Sequence, residues 1–158
     1  MTEAARAPVT AYIALGANLG NPVLTVRAAI FDLAAVEGVA LVRYSSLYRS
    51  APWQGTGPDY VNAVVEVTTV LSAFELHGAL QRLEDAAGRE RPFRNAPRTL
   101  DLDLLTYGDA KVDSATLVVP HPRMQERAFV LVPLAEIAPH RVDADQLHAV
   151  QGQSIVRL

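Results

Sequence analysis

The sequence predicts an α+β fold, the split βαβ or ferredoxin-like arrangement: an antiparallel sheet with its helices packed on one face, followed by a C-terminal extension. Three observations predict it. Apolar residues alternate with period two in four separate segments, and helix-start signals open two others, Asn21-Pro22 and Ser72 with Glu75. The order along the chain is strand, helix, strand, strand, helix, strand. At 158 residues, half of them hydrophobic, the chain is long enough for one core, so a single domain is expected over 1–158, its core at about 9–140.

Each element has a local reason. Val9 to Leu15 is a β-rich run, and Gly16-Ala17-Asn18-Leu19-Gly20 reads as a turn into a helix that Asn21 caps, Pro22 starts and Gly38 stops. VALVRYSSLYRS, from 39 to 50, reads as the second strand, and the Gly- and Pro-rich stretch from 51 to 58 as an irregular loop. From Tyr60 to Val70, Val61, Ala63, Val65 and Val67 share one face of a third strand, with Tyr60, Asn62, Val64 and Glu66 on the other. Ser72 and Glu75 form a capping box for the second helix, whose predicted apolar stripe is Phe74, Leu76, Leu80 and Leu83 and which ends at Gly88. An arginine-rich loop leads to the fourth strand, PRTLDLDLL. Beyond it come a short extended piece, Val112 to Pro120, and a Pro-punctuated helical segment, Arg123 to Pro139.

Composition excludes several classes of function. A net charge of −3 gives no global reason to bind nucleic acid or an anionic membrane, so any basic site must be local. Without cysteine there is no disulfide, thiolate metal site or cysteine nucleophile, and a cytoplasmic location is expected. The first residues fit neither a signal peptide nor a membrane span. Thirteen arginines and one lysine carry the positive charge, and five of the arginines fall between positions 82 and 98, beside the fourth strand.

That strand poses a chemical question. Leu100, Leu102 and Leu104 share one side, and Asp101 and Asp103 project together from the other, on a face expected to continue through Leu105 and Tyr107 into the interior. Two carboxylates side by side need a cation, and magnesium commonly takes one or two carboxylates with substrate phosphates and water. A D-x-D in a strand is equally the mark of a solvated edge, and it is the flanking Arg98 and loop arginines that favour phosphoryl chemistry. Tyr60 and Asn62 share a face that could bind a flat heterocycle or could be ordinary sheet decoration. Trp53 reads as a lid or a loop anchor, and His121, between two prolines, as a structural residue or a catalyst. Neither glycine-rich phosphate cradle is present, and GANLGNP is explained as a strand-to-helix turn.

GANLG, SAP followed by PDYVNAV, QRLEDAAGR, PRTLDLDLLTYG and VVPHPRMQERAFVLVPLAEIAP, in that order over about 10 to 140, closely resemble the 6-hydroxymethyl-7,8-dihydropterin pyrophosphokinase family of folate biosynthesis. The resemblance implies a magnesium-dependent diphosphokinase that moves pyrophosphate from ATP to the hydroxymethyl oxygen of the pterin and leaves AMP. It implies two magnesium ions on Asp101 and Asp103, and ATP as co-substrate. Tyr60, Asn62 and Phe129 match the pterin pocket, with Ala51 and Trp53 as its loop wall. Gln81, Glu84, Arg91, His121 and Arg127 match nucleotide contacts, and Arg89 and Arg98 match arginines that stabilise the transferring group. The implied partners are these small molecules, with no nucleic acid or membrane, and a monomer is expected. The chain departs from the family at Asn95-Ala96, where many members have tryptophan and glycine, with Phe93 as a shifted substitute, and at Thr116, where some have arginine.

A palm-like nucleotidyltransferase would also use carboxylates and metals, but it needs an acid from the first strand, and TAYIALGAN has none. In a non-catalytic ligand-binding domain of the same fold, the acids would merely decorate the sheet.

Overall fold

Alternation of side chains builds the sheet. A computed structural model describes residues 7–52, 57–88 and 99–158. Its strands are β1 (Val9–Ala17), β2 (Val39–Tyr44), β3 (Tyr48–Ser50), β4 (Tyr60–Thr69), β5 (Asp101–Tyr107) and β8 (Ile155–Arg157), with β6 (Val112–Asp113) and β7 (Val118–Val119) forming a separate two-stranded ribbon. The helices are α1 (Pro22–Ala34), α2 (Ala73–Ala87), α3 (Ala128–Ile137) and α4 (Ala144–Ala149). The main sheet is antiparallel in the order β5-β1-β4-β3-β8, and β2 pairs with β4 on the side that β3 continues. Counted as one interrupted second strand, β2 and β3 complete the expected ferredoxin-like order.

Both predicted caps form. The Asn21 side chain accepts from the Leu24 amide, and Ser72 and Glu75 satisfy each other's backbone amides at the start of α2. The helices α1 and α2 bury Val26, Leu33, Leu76 and Leu80 against Ile13, Leu15, Val65 and Val67 of the sheet. Each of these large side chains, removed from water, contributes about 1.5–3 kcal/mol before the entropy of ordering is charged against it. Phe74, expected in that stripe, is 52% exposed, and Ala73 and Ala79 pack in its place.

The opposite face is covered by the C-terminal extension. There α3 lays Val130, Leu131 and Leu134 over Tyr12, Val64 and Leu105, so the sheet has a core on each side. Glu136 clasps this helix to the sheet: its carboxylate accepts bonds from Ser46 N, Ser46 Oγ and Tyr48 Oη, the last at 2.6 Å. The strand β8, short and outside the expected core, adds to the β3 edge.

Two irregularities differ from the simple alternation. The run from 39 to 50 breaks between β2 and β3, where buried Ser45 takes the Val64 amide onto its own Oγ. In β5 the register slips, Ile13 pairing with Leu104 but Tyr12 with Thr106, so Leu105 is an extra residue. Leu105 stays on the aspartate face, as expected. Tyr107 is turned to the helix side, where it joins the α1–α2 core and its hydroxyl donates to the Leu71 carbonyl at 2.6 Å.

Candidate active site

The face shared by Asp101, Asp103 and Leu105 is polar at one end and apolar at the other, and the strand pairings show why. One rank across the sheet runs Asp101, Gly16, Asn62, Tyr48, and the next runs Asp103, Ala14, Val64. At the polar end β1 therefore contributes only a glycine and an alanine. Further along, its next residue on this face is Tyr12, which fills the space under α3. The strand holds through Gly16 and Ala17, two residues into the expected turn.

The small residues leave a cavity of about 240 Å³ floored by Ala14 and Gly16. Asp101 and Asp103 stand on its β5 side, Tyr60, Asn62, Ser50 and Ala51 on its β4 and β3 side, and Arg123 and Arg127, from the segment that leads into α3, stand with Phe129 of its first turn on a third side. Seven of the residues singled out from the sequence thus meet in one hollow: Ala51, Tyr60, Asn62, Asp101, Asp103, Arg127 and Phe129. The Arg127 guanidinium lies 5.5 Å from the centre of the Phe129 ring, within cation–π range. In α3, Pro133 withholds the bond that the Phe129 carbonyl would receive in a regular helix.

His121 sits on the other side of β5. With His77, Thr116 and Pro122 it lines a second hollow of about 230 Å³ that Asp103 also borders. Its backbone amide donates to the Leu105 carbonyl at 2.8 Å, which pins the Pro-His-Pro segment to the strand. Its Nδ1 accepts from the Arg123 amide at 3.2 Å, so the neutral ring carries its proton on Nε2. Burial pushes the pKa of His121 down, with Arg127 and Arg123 acting the same way, while the charge of Asp103 opposes them.

The nucleotide-matched residues on α2 are placed differently. Glu84 accepts from the Leu102 amide at 2.7 Å and so ties the helix to the β5 edge, and Gln81 is exposed on α2 and lines neither hollow. Trp53, Arg89, Arg91 and Arg98 lie outside the described residues, as do Phe93, Asn95 and Ala96. Gly16, Ala14, Ser50, Arg123 and His77 border the hollows without having been singled out. Alternation of small residues in the first strand, Ala14 then Gly16, is the signal that points to the floor, and Arg123 belongs to the PHPRM block already quoted.

Among the described residues no group of three or more His, Asp or Glu side chains could hold a metal unaided. Two neighbouring carboxylates make a hard, all-oxygen donor pair, which suits an ion that keeps water and substrate phosphate in its shell. The residues present therefore fit magnesium bound together with a phosphorylated substrate, and do not fit a permanently caged ion.

Comparison with known proteins places the chain. Residues 12–139 match the family model described as 7,8-dihydro-6-hydroxymethylpterin-pyrophosphokinase. The chain is 45% identical over 148 residues to the 2-amino-4-hydroxy-6-hydroxymethyldihydropteridine pyrophosphokinase of Synechocystis sp., covering 94% of this chain and 73% of that one. It is 47% identical over 131 residues to the protein of the same name from Haemophilus influenzae, covering 82% of each. Among solved structures, the HPPK-DHPS chain of Plasmodium falciparum superposes with a TM-score of 0.69 over 92% of this chain and 43% of that chain, at 13% identity, a likeness of fold. From the matched span and these identities, the chain belongs to the 7,8-dihydro-6-hydroxymethylpterin-pyrophosphokinase family.

Proposed function

We propose that the chain transfers the pyrophosphoryl group of ATP to the hydroxymethyl oxygen of 6-hydroxymethyl-7,8-dihydropterin, giving the pterin diphosphate and AMP. The observation that carries this reading is a single hollow in which the carboxylate pair of β5 stands across from Tyr60 and Asn62 of β4, with Arg123, Arg127 and Phe129 on a third side. The pterin hydroxyl oxygen attacks the β-phosphorus, the bond from that phosphorus to the oxygen bridging to the α-phosphorus breaks, AMP leaves with that oxygen, and the hydroxyl proton is released.

Each residue has a distinct task in this reading. Tyr60 and Phe129 offer ring faces to the heterocycle, Asn62 its amide, and Ala51 a wall that keeps the ring in register with the acids. Asp101 and Asp103 would hold two magnesium ions, which when bound neutralise triphosphate charge and orient it. Arg123 and Arg127 present positive charge at the mouth, where charge on the transferring phosphoryl oxygens must be met. His121, neutral and donating through Nε2, suits a contact to a phosphate or ribose oxygen beyond Asp103. Arg89, Arg91, Arg98 and Trp53 are assigned only by their match to the family pattern. Alignment and electrostatics carry the catalysis, with no side-chain base required. No helix among the described residues is long and apolar enough to cross a membrane, and we propose a cytoplasmic monomer that acts on these two small molecules.

Mass analysis of a reaction containing ATP, magnesium and the hydroxymethyl pterin tests the reading. AMP and pterin diphosphate are expected in equal amounts. Release of ADP or of free pyrophosphate would reject the chemistry.

A further inference from the structure

Ser50 and Gly16 flank Asn62, one bonded to its amide and the other leaving room beside it. Asn62 is buried at 4% exposure and Ser50 at 5%, and the Ser50 hydroxyl donates to Asn62 Oδ1 at 2.6 Å. Ser50 lies diagonally across the β3–β4 pair from Asn62, and the residue directly opposite, Tyr48, has its hydroxyl engaged by Glu136. On the β1 side Asn62 faces Gly16, where a Cβ would stand 3.2 Å from Asn62 Nδ2. The amide nitrogen is thus turned toward the glycine floor of the cavity and its oxygen toward β3.

We propose that Ser50 is a positioning residue: its hydroxyl, bonded to Oδ1, holds the Asn62 amide in the orientation in which Nδ2 is the donor offered to the heterocycle. The pocket then selects ligands that present a hydrogen-bond acceptor at that edge. An unheld amide samples several side-chain rotamers, and only some of them offer a donor at a given point, so holding it in advance removes unproductive states from the empty site. The inference rests on the reading of this cavity as the heterocycle site.

Steady-state kinetics with the pterin varied at saturating magnesium-ATP tests it. In Ser50→Ala the KM for the pterin should rise about tenfold, the effect of one unsatisfied buried acceptor, with kcat changed by less than about twofold. Ser50→Thr keeps the hydroxyl and should return KM to within about twofold of the parent. Asn62→Asp keeps the oxygen that Ser50 holds but removes the donor, and should raise KM by about a hundredfold. An unchanged KM in Ser50→Ala, a Ser50→Thr variant as weak as the alanine, or an Asn62→Asp variant that binds like the parent would each overturn the inference. Ser50→Thr and Asn62→Asp carry the test if Ser50→Ala does not fold. A parent protein inactive on the pterin overturns the proposed function and this inference together, whereas an active parent with an indifferent Ser50→Ala overturns the inference alone.

Discussion

The two ends of the sheet face beneath α3 are made by the same three strands and differ by a few side chains. At one end β1 supplies Tyr12, β4 supplies Val64 and β5 supplies Leu105, and α3 seals them. At the other end the corresponding positions are Gly16, Asn62 and Asp101, and a cavity remains. Backbone hydrogen bonding is continuous through both. What separates a core from a site here is side-chain volume along β1: glycine and alanine leave room for a ligand, and a tyrosine two residues on closes it.

The difference can be broken from either end. The largest effect belongs to the acids. Asp101→Ala and Asp103→Ala should each lower magnesium-dependent turnover by about a thousandfold, as expected where a charge-stabilising ion is lost. Thermal denaturation should find the fold intact or slightly firmer, because removing one of two like charges relieves repulsion. Near-normal turnover in either variant would remove the metal assignment.

At the closed end the loss is of stability. Leu105→Ala empties a site of 1% exposure and should cost about 3 kcal/mol in urea denaturation, with the KM for the pterin in the folded protein changed little. Filling the open end should do the reverse. Gly16→Ala places a methyl group against Asn62 Nδ2 and should weaken pterin binding about tenfold in a calorimetric titration while leaving the denaturation midpoint nearly unmoved. A Gly16→Ala variant that binds the pterin as tightly as the parent would show that the glycine floor is incidental.

The smallest effect concerns the clasp that holds α3 over the closed end. Burial, then the bond and charge of Glu136, push the Tyr48 hydroxyl up to about 12 from 10.0. The folded state thus favours the neutral phenol, so its contribution is complete below pH 10 and is lost as pH rises toward 12. For Glu136, burial would raise the carboxyl, but the bonds from Tyr48 and Ser46 and the charge of Arg157 outweigh it and hold it below its ordinary 4.5. That contribution is present above pH 4.5 and fades as pH falls through the lowered value. Urea midpoints followed across pH should decline at both extremes, and Tyr48→Phe should flatten the alkaline decline. A variant with the same alkaline slope as the parent would assign that slope to another group.

Much of this could be read from residues alone, for identifiable reasons. The capping pair at Ser72 and Glu75 and the valines of β4 are local signals, and local signals survive folding. Asp101, Asp103, Tyr60 and Asn62 were legible as faces because strand alternation fixes direction without knowledge of partners. Register was not legible. The extra residue at Leu105 and the break at Ser45 depend on which strand lies alongside, and they turned Tyr107 to the other core and split the second strand. Gly16 looked like the start of a turn because glycine in isolation signals one, yet paired between Asp101 and Asn62 it is a strand residue that makes room. The placement of α3 opposite α1 and α2 was hidden because a helix apolar on nearly every side names no particular face to pack against.

A divalent ion and a heterocycle are expected to sit together at the small-residue end of this face. A crystal structure with a non-hydrolysable ATP analogue, magnesium and the hydroxymethyl pterin measures it directly. Carboxylate oxygens of Asp101 and Asp103 are expected at about 2.1 Å from magnesium, with the pterin ring between Tyr60 and Phe129. Magnesium held by the triphosphate alone, or the ring lodged away from Asn62, would contradict it.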